Sequence, residues 1–292
     1  MSDPAESRMF QTMPDADTHA RALKALTLWW EDMGIEADPL PVARPKLPSP
    51  SPAPKSQSRD PLQAPEKPAI ATPQAARAAG FGTPDGDPED ARKAVANVRT
   101  LDELKAAIMA FDGCALKRTA RNTVFSRGNP AADIMIVGEA PGRDEDEQGK
   151  PFVGKSGQLL DRMIRASGLD PETDVYISNI LNWRPPGNRT PSTEEIAICL
   201  PLIERHIAIA QPKVLVFAGG VSAQALLRAT TGIMKLRGRW AEYRFKDADG
   251  EAGDHIPAMP LFHPAFLLRR PQEKARAWRD WLEVVKKVEG AD

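Results

Sequence analysis

Only two cysteines, Cys114 and Cys199, occur among 292 residues. That is too few for a disulfide framework and points to a reducing cytoplasm. No apolar run approaches the roughly 20 residues of a membrane span, so no membrane association is expected. The first residues, MSDPAESRMF, hold no basic stretch followed by an apolar one, so no secretory leader is expected. Charge is nearly balanced, with a formal net of −1. A global attraction to polyanions is therefore missing, and any such contact must come from local clusters. What remains is a chain with 41% hydrophobic and 27% charged residues, a composition that folds in water as one sizeable domain with extensions.

Three zones differ in texture. In residues 17–35, Ala22, Leu23, Leu26, Trp29, Trp30 and Met33 recur at helical spacing behind an Asp17 cap. Segment 1–36 is therefore read as helical, with Trp29 and Trp30 as a face for a protein partner or for the body of the chain. Residues 37–95 are rich in Pro, Ala, Ser and charge. They bury too little apolar surface to offset ordering, so a flexible linker is expected there. The globular domain is assigned to 96–292.

Four short apolar runs punctuate that domain: IMIVGE (134–139), VYISNI (175–180), VLVFAG (214–219) and AMPLFH (258–263). Each is too short for a core helix and dense in Val, Ile and Leu, as in strands buried on both faces. Helical stretches at 158–167, 193–209, 221–229 and 272–287 alternate with them. The fold class is accordingly α/β, a three-layer α/β/α sandwich around a central four-stranded parallel sheet. Ligands of such sheets sit at the carboxyl ends of strands, which selects Gly138 and Glu139, Asn179, Ala218 and Gly219, and His263.

One stretch raises a competing idea. Gly149-Lys-Pro-Phe-Val-Gly154-Lys155-Ser156 satisfies the phosphate-loop pattern. A true phosphate loop leaves a strand directly, whereas the segment between this strand and Gly149 carries Glu139, Asp144, Glu145, Asp146 and Glu147. Those carboxylates repel a triphosphate, and Pro151 lacks a donor N–H. Lys155-Ser156 is read instead as the start of the helix continuing through GQLLDRMI.

GEAPGRDEDEQGKPFVGKSG (138–157), YISNILNWRPPGNRTP (176–191), LRGRW (236–240) and FHPAFLLRRP (262–271), in this order and spacing, resemble the family 4 uracil-DNA glycosylases. The similarity spans about residues 101–288. It implies hydrolysis of the bond between uracil and deoxyribose, starting base excision repair of uracil-containing DNA. A slow or non-catalytic binder of uracil-containing or abasic DNA is the alternative.

The chemistry that this resemblance implies can be matched to residues. A base reached only by leaving the stack needs an aromatic platform, for which Phe152 is the candidate. It also needs an amide matching the uracil edge, for which Asn179 is placed at a strand end. The departing uracil anion needs a donor near O2, and His263 is the candidate. A carboxylate must serve the sugar cation and the water. Glu139 and Glu145 compete for this, with Asp146 behind them. Relatives elsewhere in the superfamily carry an Asp at the position of Ala140, which cannot act as a base. Uracil contacts are thus expected from Glu139, Ala140, Phe152, Asn179 and His263. DNA contacts are expected from Arg237, Arg239, Arg269 and Arg270, with Leu267 and Leu268 as a wedge in the base stack.

The resemblance also implies four cysteines around a 4Fe–4S cluster. Here those positions read Phe111, Cys114, Trp183 and Cys199. Only two ligands remain, so no cluster and no metal are expected, with Phe111 and Trp183 filling the volume. The protein is expected to be a monomer.

Overall fold

The computed structural model describes residues 86–246 and 252–290. Segment 1–36 and most of the 37–95 stretch lie outside the described residues. The final part of that stretch does not. Helix α1 (Pro88–Val95) starts behind an Asp87 capping box and buries Ala91 and Val95 in the core. Residues before the boundary expected at 96 therefore contribute to the core. The alternation of small apolar and charged residues in PEDARKAV was submerged in the Pro-rich composition around it. Helix α2 (Leu101–Ala110) follows, with Thr100 and Glu103 forming a second reciprocal cap.

A six-stranded sheet organises the rest. Its strands are β1 (Arg127–Gly128), β2 (Ile134–Gly138), β3 (Val175–Asn179), β4 (Val214–Ala218), β5 (Ala241–Lys246) and β6 (Ala252–Leu261). Their spatial order is β1-β3-β2-β4-β6-β5. The inner four, β3, β2, β4 and β6, are parallel, as the apolar runs require. Short β1 and the β5 arm pair antiparallel at the two edges, extending the four-stranded sheet expected from sequence. Neither edge strand has the fully buried composition by which the central strands are recognised.

Side chains of β2 alternate between two apolar layers. Met135 and Val137 join a cluster that includes Ala91, Val95, Leu104 and Ile108, together with helices α5 (Thr193–Ala210) and α6 (Gly220–Leu227). Ile134 and Ile136 join the opposite cluster with α4 (Lys155–Ala166), α8 (Pro264–Arg269) and α9 (Lys274–Glu289). Two short helices, α3 (Arg143–Gln148) and α7 (Ile233–Leu236), occupy loops beyond strand ends. Among the described residues no helix is long and apolar enough to cross a membrane.

One buried titratable group lies in the first layer. His206 on α5 is 1% exposed, stacks on Phe125 with ring centroids 4.4 Å apart, and holds the Tyr176 hydroxyl 2.7 Å from Nε2. Burial lowers its pKa from 6.5 to about 3. As pH falls below about 6.5 the unfolded chain takes up a proton that the folded one refuses, so stability is lost across that window. Relative to His206→Gln, the native protein should lose about 2 kcal/mol more unfolding free energy between pH 7.5 and pH 5. Urea melts at the two pH values measure this, and parallel losses in both proteins contradict the assignment.

Candidate active site

The carboxyl ends of the parallel strands open into a cleft of about 460 Å³. Glu139, Ala140, Phe152, Asn179 and His263 all line it, joined by Arg269. The residues expected to face uracil are therefore gathered from the ends of β2, β3 and β6 and from the loop after α3.

A missing side chain lets them meet. A Cβ added to Gly138, the last residue of β2, would stand 2.3 Å from Asn179 Oδ1 and 2.6 Å from the Phe152 ring. Asn179 ends the adjacent strand in register with Gly138 and is 3% exposed. Among the described residues no hydrogen bond engages its amide, so both the donor and the acceptor remain for a ligand. Phe152 is also buried, and its backbone is left-handed with φ +54°, a conformation costly for a residue with a bulky side chain.

His263 follows β6 and forms the N-cap of α8. Its Nδ1 accepts the Ala265 N–H at 3.1 Å. A neutral ring accepting at Nδ1 carries its proton on Nε2. Burial, aided by the nearby Arg269 charge, lowers the pKa from 6.5 to about 4, so the ring is neutral at physiological pH. Its centroid lies 5.6 Å from that of Phe152. Gly219, with φ +112°, passes close behind, where an added Cβ would come within 3.1 Å of His263 Cβ.

The acids divide sharply. Glu139 is half-buried on the cleft wall, and burial raises its pKa above the ordinary carboxylate value. Glu145, also at the wall, has its carboxylate occupied. It accepts the Gly142 N–H at 3.0 Å, the Val153 N–H at 3.0 Å and the Gly154 N–H at 2.8 Å. Asp146 accepts the N–H groups of Arg121 and Asn122 at 2.8 and 3.1 Å. These bonds also dispose of the phosphate-loop idea. The amides that would cradle a phosphate are bound to Glu145, and Lys155 opens α4 as expected.

The expected DNA-contact residues separate likewise. Arg239, Arg269 and Arg270 are exposed. Arg237 is not free: its Nε donates to Asp280 at 2.7 Å, and its guanidinium lies 5.1 Å from the Phe262 ring centroid. Its charge is paired with a partner 43 residues further along. Leu267 is 1% exposed within the second core layer, whereas Leu268 is 40% exposed. Of the two, only Leu268 reaches the surface, since adjacent positions on a helix face different directions.

Sequence reasoning passed over the loop at 185–190. Pro185, Asn188, Arg189 and Thr190 line the cleft. Gly187 and Asn188 both have positive φ, and Arg189 makes a two-pronged pair with Glu195 at 2.6 and 2.8 Å. The Gly-Asn pair in RPPGNRTP signalled a turn but not its direction toward the cleft.

Away from the cleft, Phe111, Cys114, Trp183 and Cys199 come together in the first core layer. The two thiol sulfurs are 3.8 Å apart, and the aromatic rings stack at 6.4 Å between centroids. Trp183 Nε1–H donates to Thr123 Oγ1 at 3.0 Å. A cubane needs four suitable ligands. Among the described residues no group of three or more His, Cys, Asp or Glu is placed to hold a metal. The residues at these four positions do not fit an iron–sulfur cluster.

The mostly parallel α/β sheet thus carries a cleft at its strand ends, lined by the Phe152 ring and the Asn179 amide. Comparison with known proteins makes this specific. The family described as "Uracil DNA glycosylase superfamily" matches residues 125–282. A Type-4 uracil-DNA glycosylase of Pyrobaculum aerophilum is 38% identical over 186 residues, covering 62% of this chain and 90% of that protein. One from Archaeoglobus fulgidus is 37% identical over 191 residues, 64% of this chain and 92% of that protein. Another, from Thermotoga maritima, is 38% identical over 164 residues, 56% of this chain and 80% of that protein. The chain belongs to the uracil DNA glycosylase superfamily, alongside its type-4 members.

Gly138→Ala tests the cleft geometry directly. The added methyl must push aside Asn179 or the Phe152 ring, and a misplacement of this size costs roughly 100-fold in rate. Uracil release from a short oligonucleotide should fall by about that factor while the circular dichroism spectrum stays native. Unchanged release would show that these two side chains do not frame the substrate.

Proposed function

We propose that this protein excises uracil from DNA by hydrolysing the N-glycosidic bond of a flipped deoxyuridine. The carrying observation is Asn179: a buried strand-end amide with no hydrogen-bond partner among the described residues, beside Phe152 and the proton-bearing Nε2 of His263. Its Nδ2–H donates to uracil O4 and its Oδ1 accepts N3–H, while the base lies against Phe152. Cytosine presents an amine and a bare N3 at the same edge, which leaves both amide groups mismatched.

As the bond from C1′ to N1 breaks, the electron pair goes to uracil and positive charge grows on the sugar. His263 Nε2–H meets the charge that reaches O2. Glu139 balances the cation and takes a proton from the attacking water, whose oxygen bonds C1′. The anionic uracil takes a proton from solvent at N1, and Glu139 gives its proton back to solvent, so one water is consumed per bond broken. Ala140 offers no acid–base group, and Glu145 is committed to backbone amides, so Glu139 carries the carboxylate role alone. Arg239, Arg269 and Arg270 hold phosphates, and Leu268 enters the stack as the base leaves.

In this reading the enzyme works without iron, as a cytoplasmic monomer. Phe111 and Trp183 occupy the space of two cluster ligands, and Cys114 and Cys199 remain as reduced thiols. Protein purified without oxygen should contain far less than one iron per chain and lack a brown visible band. Stoichiometric iron overturns this part.

The function itself is tested with uracil-containing single- and double-stranded oligonucleotides. Many turnovers per enzyme are expected, and a shifted but uncleaved band identifies a binder instead. His263→Ala should lower turnover roughly 100- to 1000-fold, the usual cost of removing one donor to a developing anion. Binding and its salt dependence should hardly change. Weak binding with normal turnover at saturation would assign His263 to gripping DNA.

A further inference from the structure

We propose that Arg127, on edge strand β1, is a positioning residue for excision, acting through Phe152. The inference rests on Phe152 being the platform for the base.

The platform residue cannot hold its own conformation. A left-handed backbone at a phenylalanine relaxes unless both flanking peptides are fixed. Arg127 touches both of them. Its side chain is 6% exposed, Nε donates to Pro151 O at 2.9 Å, and one terminal nitrogen donates to Phe152 O at 3.3 Å. That nitrogen also pairs with Asp161 on α4, and the other meets Glu172 Oε1 at 3.2 Å. Glu145 holds the second of these peptides by the Val153 N–H and the next one by the Gly154 N–H. A cation grips the carbonyls on both sides of Phe152, and an anion grips the N–H groups that follow.

Helix α4 closes the same loop from below. A Cβ on Gly157 would stand 1.8 Å from Phe152 O, so the carbonyl is wedged between helix backbone and guanidinium. The arrangement needs an arginine. Two carbonyls and two carboxylates are met at once by a planar fork, whereas a lysine ammonium is a point charge on a flexible stem. Without the fork, Phe152 can return to negative φ and carry its ring away from Gly138 and Asn179.

The experiment is a double-mutant cycle with Arg127→Lys and Phe152→Ala, read as uracil release under saturating DNA. Arg127→Lys alone should lower kcat roughly ten- to a hundredfold, with KM changed less than about twofold. In the Phe152→Ala background the same substitution should change kcat less than about twofold. An equal loss in both backgrounds, or no loss in either, overturns the proposal. Amide hydrogen exchange gives a second readout independent of activity. Arg127→Lys should speed exchange at Val153 and Gly154 by about tenfold or more and leave the β2 amides unchanged. Unaltered loop exchange, or equal acceleration throughout β2, overturns the clamp even if the native protein releases no uracil. Failure of native excision with the expected loop acceleration would reject the enzymatic reading and keep the clamp.

Discussion

The cleft is arranged around the absent side chain of Gly138. Neighbouring parallel strands end in register there, and only a bare Cα leaves room for the Asn179 amide and the Phe152 ring to meet. The strands deliver backbone ends at fixed spacing, so no loop has to find this geometry unaided. His263 then enters from the next strand but one, and its N-cap bond selects the tautomer.

Charge in the same region does two kinds of work. Glu145 and Asp146 spend their lone pairs on backbone amides, turning an acidic loop into a rigid wall. Glu139 is half-buried and makes no such bond among the described residues, and burial moves its pKa up. A partly desolvated carboxylate is a better proton acceptor than a solvated one, whereas the oxygens of Glu145 are taken by backbone amides. The stretch GEAPGRDEDE (138–147) contains both types with nothing local to separate them.

That contrast marks the limit of sequence reading here. The four central strands were legible because each is a short Val/Ile/Leu run bounded by polar residues, and their ends named Glu139, Asn179 and His263. Helix α1 was not, because its eight residues sit in Pro-rich surroundings and are recognised by the core they join. The pairing of Arg237 with Asp280 is invisible in the sequence, because the fold brings them together across 43 residues. Leu267 and Leu268 are equivalent as letters and are distinguished only by the facing of a two-turn helix. Arg127 carried no sequence signal, since its acceptors are carbonyl oxygens 24 and 25 residues away.

The first core layer's aromatic pair, Phe111 and Trp183, stands at two of the expected ligand positions. The cleft does not lean on those positions for its geometry, because its contacts come from strand ends and from the Glu145 and Arg127 bonds. The central claim is thus a single pose of uracil against Phe152. A crystal structure with free uracil measures it most directly. The account predicts the ring on the Phe152 face, O4 and N3 at the Asn179 amide and O2 within hydrogen-bonding distance of His263 Nε2. Uracil bound elsewhere, or Phe152 relaxed to negative φ with its ring away from Gly138, would contradict it.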